Sequence, residues 1–164
     1  MACRGVFFAI TREEGDALHG ASGNDEALMT LVEDIEEAWD SDNLAECDKA
    51  WDAMHRVLTD GRLEYGNGPY PLNHCVLGPR QLHRGDSYIA SLVAPEEVRE
   101  VATALHTLTR EWFEARYRTV VPKDYAPEYG EEDLEYTWES FQGVRELYAK
   151  AASEGKAILF TVDQ

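Results

Sequence analysis

Apolar residues in this chain follow two patterns: short continuous runs and longer segments with helical spacing. The continuous runs lie near both ends and in the middle of the chain, at 4–10, 88–93 and 156–162. Runs of this length that are bounded by turn or capping residues are typical of buried strands. The pattern therefore predicts three principal strands.

Two segments that are predicted to form helices follow the first strand. Thr11 and Glu14 can form a capping box that begins a short helix, which ends before the turn-rich sequence HGASGN. A second helix is predicted from Asn24, because apolar residues then recur on one helical face at Leu28, Leu31, Val32, Ile35 and Trp39. The acidic residues between them form its solvated face.

Residues 47–61, CDKAWDAMHRVLTDG, are predicted to form the next helix, with Gly61 as its C-terminal stop. This helix and the preceding one would form an antiparallel pair. At about 100° per residue, its polar residues share one narrow face at the margin of an apolar stripe, and these are Asp48, Asp52, His55 and Thr59.

Residues 62–87 are rich in Gly, Pro and Asn, and we expect an irregular region with one brief strand at CVL, 75–77. Pro95 suits the first turn of a helix that is predicted to continue to about Tyr117. A proline-containing connection, VVPKDYAPEYG, then leads to a long helix at about 131–153.

Strands separated by pairs of helices predict an α+β fold with a small, mainly antiparallel or mixed sheet that helices cover on at least one face. The length of 164 residues fits one domain, 1–164. Apolar residues make up 44% of the chain, which excludes a disordered protein.

The net charge of -17 excludes several classes of partner. Such a surface repels nucleic acid and anionic membranes, and it favours a basic protein partner. The three cysteines, Cys3, Cys47 and Cys75, form no CxxC pair and indicate a reducing cytoplasm. The sequence contains neither a secretory signal pattern nor an apolar run long enough to cross a membrane, so we expect a cytoplasmic protein.

Several segments together resemble the YfbM-like family of bacterial domains of unknown function. The specific part is DKAWDAMHRVLTDG (48–61), and it is accompanied by GVFFAIT, PLNHCVLG, YIASLVAPEEVREVA and LYAKAASEGKAILFTV in the same order. The resemblance extends over nearly the whole chain. It implies an α+β fold and a bacterial protein, and it implies no catalytic assignment.

The strongest candidates for chemistry lie on the predicted 47–61 helix. His55 could be a metal ligand or general base with Asp52 or Asp48 orienting its ring, or a structural residue that donates to a loop carbonyl. An Asp–His pair offers too few ligands for a tight transition-metal site unless His74, Cys75 or His83 completes it. We therefore predict no metal, cofactor or catalytic set.

Arg145 is a further candidate, since it falls within the apolar stripe of the last helix. A guanidinium there must be paired or stacked on aromatic rings. We expect an ion pair with a carboxylate such as Asp52 and a stem packed between rings. The alternative is an anchor for an anionic ligand in a pocket.

Two functional hypotheses follow. The preferred hypothesis is a non-enzymatic, acidic interaction or inhibitor-type domain that associates with a basic protein. The alternative is a small-molecule-binding or hydrolytic protein with a pocket between the predicted helix and region 62–87. That alternative requires the candidate binding residues to converge on one concave site, and these are Asp48, Trp51, Asp52, His55, His74 and Arg145.

Overall fold

The computed structural model describes residues 3–120 and 130–163. In chain order its elements are β1 (Gly5–Ile10), α1 (Arg12–Gly20), α2 (Asp25–Ala38), β2 (Leu44–Asp48), α3 (Trp51–Leu58), β3 (Arg80–Gln81), β4 (Tyr88–Val93), α4 (Pro95–His106), α5 (Arg110–Val120), α6 (Gly130–Glu154) and β5 (Ala157–Asp163). Most of the connection predicted at VVPKDYAPEYG lies outside the described residues. The elements form the expected α+β fold.

The five strands form one antiparallel sheet in the order β2-β1-β5-β4-β3. The first and last strands of the chain are neighbours in the middle of this sheet, with Phe7 opposite Phe160. The three strands predicted from apolar runs are β1, β4 and β5. They occupy the three central positions, where burial on both faces requires nearly continuous apolar sequence.

Helices cover both faces of the sheet. Alternate residues of a strand point to opposite faces, and in β1 Phe7 packs with the core formed by α3 to α6. Its neighbour Phe8 packs with the smaller core formed by α1 and α2. Each face of the sheet therefore has a hydrophobic core.

The predicted 47–61 helix is wrong at its N-terminal end. Cys47 and Asp48 belong to β2, which pairs with β1, and the helix begins only at Trp51. Ala45 and Cys47 point into the core while Glu46 and Asp48 are exposed, as expected for a strand with one buried face. A strand thus separates the two helices that were expected to form a pair.

Two further boundaries differ from the sequence prediction. The buried segment 75–77 is not a strand, and the short strand of this region is β3. The helix expected to continue from Pro95 to Tyr117 is interrupted after His106, and α5 begins at Arg110. Thr109 accepts a hydrogen bond from the Trp112 amide through its Oγ1, which caps the new helix.

Candidate functional site

His55 lies in α3 with 1% of its surface exposed. Its Nε2 is 2.9 Å from the carbonyl oxygen of Glu64 and 2.8 Å from Oδ1 of Asn67. Because both partners are acceptors, the network assigns the proton to Nε2, which donates. Nδ1 of the neutral ring is then an acceptor, and among the residues that the structure describes this buried atom has no hydrogen-bond partner.

Asn67 links the His55 ring to the turn that follows α3. Its Nδ2 lies 2.6 Å from Oδ1 of Asp60, 2.8 Å from the Arg62 carbonyl and 3.2 Å from Oγ1 of Thr59. Thr59 in turn donates to the His55 carbonyl over 2.7 Å. These contacts hold the chain reversal after α3, so the polar margin of this helix performs a structural task.

Burial lowers the pKa of His55 below its ordinary value, although the two hydrogen bonds at Nε2 oppose this shift. The ring is therefore neutral near pH 7. Its enclosure leaves no open approach for a substrate. Within 3–120 and 130–163, no group of three or more His, Cys, Asp or Glu side chains has an arrangement that could hold a metal ion.

The aspartates expected beside His55 have other partners. Asp52 accepts a hydrogen bond from Nε of Arg56 over 2.5 Å, one turn along α3. Asp48 is exposed at the end of β2, where its Oδ1 lies 3.7 Å from Nε of Arg4. The four-residue polar face predicted for residues 47–61 is therefore not formed, because Asp48 is not on the helix.

Trp51 and the buried cysteines belong to the core. The Trp51 indole donates to the Cys3 carbonyl over 2.9 Å, and its ring packs against Phe160. Burial raises the pKa of the Cys47 and Cys75 thiols, so both stay protonated near neutral pH. Neither is an activated nucleophile.

His74 fastens the irregular region to α4. Its Nδ1 lies 3.1 Å from Oε2 of Glu97 without hydrogen-bonding orientation, and Oε1 of Glu97 accepts from Arg80 over 2.5 Å. Burial lowers the pKa of His74, and Glu97 offsets part of this shift. The ion pair between Arg80 and Glu97, with the His74 ring beside it, joins the irregular region to the helix.

Arg145 stacks on aromatic rings as expected, but the ion pair with Asp52 is not formed. The guanidinium lies 5.9 Å from the ring centre of Trp138 and 5.5 Å from that of Phe141. Its hydrogen bonds go to Gln142 and the His106 carbonyl. The expected partner Asp52 is instead bound to Arg56 on α3.

The pocket hypothesis predicted that the six candidate residues meet at one concave site. Three cavities that the described residues form, of about 390, 210 and 490 Å³, contain none of the six in their walls. The convergence required by the pocket hypothesis is therefore not observed there.

A groove of about 390 Å³ lies between α1, α2 and β1. Its apolar walls include Phe8, Ile10, Leu18, Leu31 and Ile35, and three carboxylates border it, from Glu14, Asp34 and Asp40. The sequence predicted Leu31 and Ile35 as core residues of α2. They are only half-buried, because α1 and the sheet cover just part of the apolar face of α2.

Acidic residues are concentrated in the part of the sequence that contains most of the residues of this groove. Between Glu13 and Asp48 the sequence contains thirteen acidic residues and no lysine or arginine, and we call these side chains the acidic belt. All of them except Asp25 and Glu36 are exposed. Within the part of the chain that the structure describes, of the belt carboxylates only those of Asp48 and Asp25 lie within 4 Å of a basic side-chain nitrogen, and Lys150 donates to the main-chain carbonyl of Asp42.

The sequence contained a signal for this surface. The sequence shows directly that the belt contains no lysine or arginine. The total net charge does not show this, because it does not say where the charges lie. The sequence contains no indication of the groove, because the groove depends on the distance between α1 and α2 in the folded protein.

In the described part of the chain, no helix combines the length and the apolarity needed to cross a bilayer. No curated protein sequence matches this chain significantly. The solved structure of YfbM from Escherichia coli, a protein of unknown function, is similar with a TM-score of 0.71 and 19% identity. The alignment covers 97% of this chain and 99% of YfbM, and at this identity it concerns the fold alone.

The model of a family described as a domain of unknown function, DUF1877, matches residues 1–161. This match agrees with the resemblance to YfbM-like domains found in the sequence. Since the family model extends over nearly the whole sequence, the chain belongs to the DUF1877 family.

Proposed function

We propose that this protein is a non-enzymatic binding module whose acidic belt associates with a basic protein partner. The observation that carries the proposal is the belt itself, thirteen carboxylates that no lysine or arginine interrupts in sequence. Like charges gathered on one surface raise the local potential, and they speed association with a partner of opposite charge.

The distribution of basic residues supports this proposal. Ion pairs away from the belt include Arg110 with Glu135 and Arg118 with Glu131 on the helices α5 and α6. Much of the basic charge is therefore used elsewhere on the molecule. Among the described residues, the carboxylates of α2 other than Asp25 have no basic side-chain nitrogen within 4 Å, and a basic partner would supply one.

The test compares two variants with equal net charge. Glu33→Gln, Asp34→Asn and Glu37→Gln together remove three exposed belt charges, while Glu111→Gln, Glu139→Gln and Glu146→Gln remove three exposed charges from α5 and α6. Immobilised wild-type protein should capture basic proteins from a native lysate, and moderate salt should release them.

We expect the belt variant to lose this capture and the control variant to retain it. Equal loss in both variants would show that only total charge matters. Capture that salt does not weaken, or that the belt variant retains, would contradict the proposal.

A further inference from the structure

Trp39, beside the groove, has a backbone conformation that its side chain disfavours. It follows the last residue of α2 with φ 40° in the left-handed region. That region is costly for residues other than Gly and Asn, which are the usual residues where a helix ends in this way. An indole in this position points to a use for the side chain.

The Trp39 ring adds little to the core. It is 44% exposed, and its ring contact is an edge-on approach to Phe8 at 6.1 Å between centroids. Phe8 also forms part of the groove wall. The exposed indole and the groove are thus continuous through one shared aromatic residue.

The groove combines an apolar interior with an acidic border. Leu31 and Ile35 are half-buried in its wall, and carboxylates of Glu14, Asp34 and Asp40 border it. A ligand that fits both features must present aliphatic groups and positive charges together. Exposed tryptophans beside such apolar sites are common centres of binding energy.

We propose that this groove and Trp39 dock a basic segment of a partner protein in which aliphatic side chains alternate with Lys or Arg. The inference rests on the proposed function and identifies the part of the surface that determines which partner sequences bind. A small amphiphilic cation would satisfy the three bordering carboxylates but not the belt beyond them. A polypeptide can extend over both, which is why we favour it.

The alanines of the groove make the proposal testable. Ala38 is exposed, lies at the end of α2 and forms part of the wall. Ala38→Arg would place a long basic side chain in the groove without disturbing the core. Ala115→Arg, at an exposed position of α5, adds the same charge elsewhere and is the matched control.

The probes are two synthetic peptides of equal length and charge, one alternating Leu with Lys and the other alternating Ser with Lys. Calorimetric titration should show that the Leu/Lys peptide binds at least about tenfold more tightly, because only it fills the groove. Ala38→Arg should weaken Leu/Lys binding by a similar factor, and Ala115→Arg should leave it unchanged.

Trp39→Asn separates binding from folding. Asn accepts the left-handed backbone, so the variant should keep the melting temperature while the Leu/Lys peptide binds more weakly. A lowered melting temperature with unchanged peptide affinity would instead make Trp39 a structural residue and overturn its assigned role.

The possible failures are distinguishable. If the peptides bind equally and the belt variant weakens both, the proposed function stands and the groove inference is wrong. If the belt variant weakens neither peptide, both proposals fail.

Two further experiments test other occupants of the groove. A dimer in sedimentation that Ala38→Arg abolishes would assign the groove to a second copy of the chain. Octylamine binding as tightly as the Leu/Lys peptide would assign the groove to a small cation. Either result would overturn the inference.

Discussion

At the scale of single residues, His55 shows how a polar side chain becomes part of a core. Its Nε2 hydrogen bonds to Glu64 and Asn67 hold the turn after α3, and the cost is an enclosed Nδ1 that has no hydrogen-bond partner among the described residues. Protonation would place a positive charge in this enclosed site. The neutral ring is therefore the form that the fold requires.

This requirement predicts a pH dependence of stability. The unfolded chain protonates His55 near its ordinary pKa of about 6.5, whereas burial lowers the pKa in the folded protein. The unfolded state thus binds the proton first. The contribution to stability is complete above about pH 6.5, and it is lost as the pH falls, by at most about 1.4 kcal/mol per pH unit.

Urea unfolding between about pH 7.5 and 5 measures this slope. The pKa values of Asp25 and Asp40 are lowered, so these two carboxylates titrate below this pH range. His74 shifts with the same sign, so both His55→Gln and His74→Gln are needed. We expect the slope to decrease most in His55→Gln. A wild-type protein with constant stability over this range would contradict the assignment.

At the scale of elements, β1 packs so closely on α3 and β5 that a glycine is required at its start. A Cβ added to Gly5 would lie 2.8 Å from Cδ1 of Trp51, 2.9 Å from Cε1 of Phe160 and 3.0 Å from Sγ of Cys47. Real contacts of a Cβ atom are longer than these distances. A side chain at this position would therefore force the helix away from the sheet.

Gly5→Ala should lower the free energy of unfolding by about 1–3 kcal/mol, because it overpacks the contact between sheet and helix. Gly143→Ala is the control, since a Cβ on this residue of α6 meets nothing within 4 Å. It should raise stability by up to about 1 kcal/mol through helix propensity. Equal effects in chemical denaturation would mean that β1 and α3 are less tightly packed than described.

The elements also show where local sequence misleads. Residues 44–48 contain Ala, Glu and Asp, which suit a helix or its first turn, and only pairing with β1 makes them a strand. The break between α4 and α5 was more accessible to prediction. Thr109, which precedes Arg110 and Glu111, is a typical N-capping residue. The apolar periodicity continues through the break and therefore concealed the helix boundary.

At the scale of the whole molecule, nine of the thirteen belt carboxylates lie on α1 and α2, which cover one face of the sheet, and their like charges repel one another. Glu33 and Glu37 are one helical turn apart on α2, and Glu37 also lies near the negative end of the helix. Association with a basic partner would relieve this repulsion. In the free protein it lowers stability.

Neutralising belt charges should therefore stabilise the free protein. Glu33→Gln, Asp34→Asn and Glu37→Gln together should raise the free energy of unfolding by roughly 0.5–1 kcal/mol at low salt. Molar sodium chloride should reduce the difference from wild type, because the Debye length falls to about 3 Å. Thermal unfolding at both salt concentrations measures this, and a belt variant less stable than wild type would contradict it.

The sequence by itself determined the α+β class, the three central strands and most helix positions, because apolar periodicity and capping are local properties of the chain. It also fixed the excess of negative charge, which depends on composition alone. The tertiary structure decided that 44–48 is a strand, that His55 and Arg145 have separate partners, and that an open groove lies beside α2. Each of these depends on contacts between residues far apart in the chain, and local patterns carry no information about such distances.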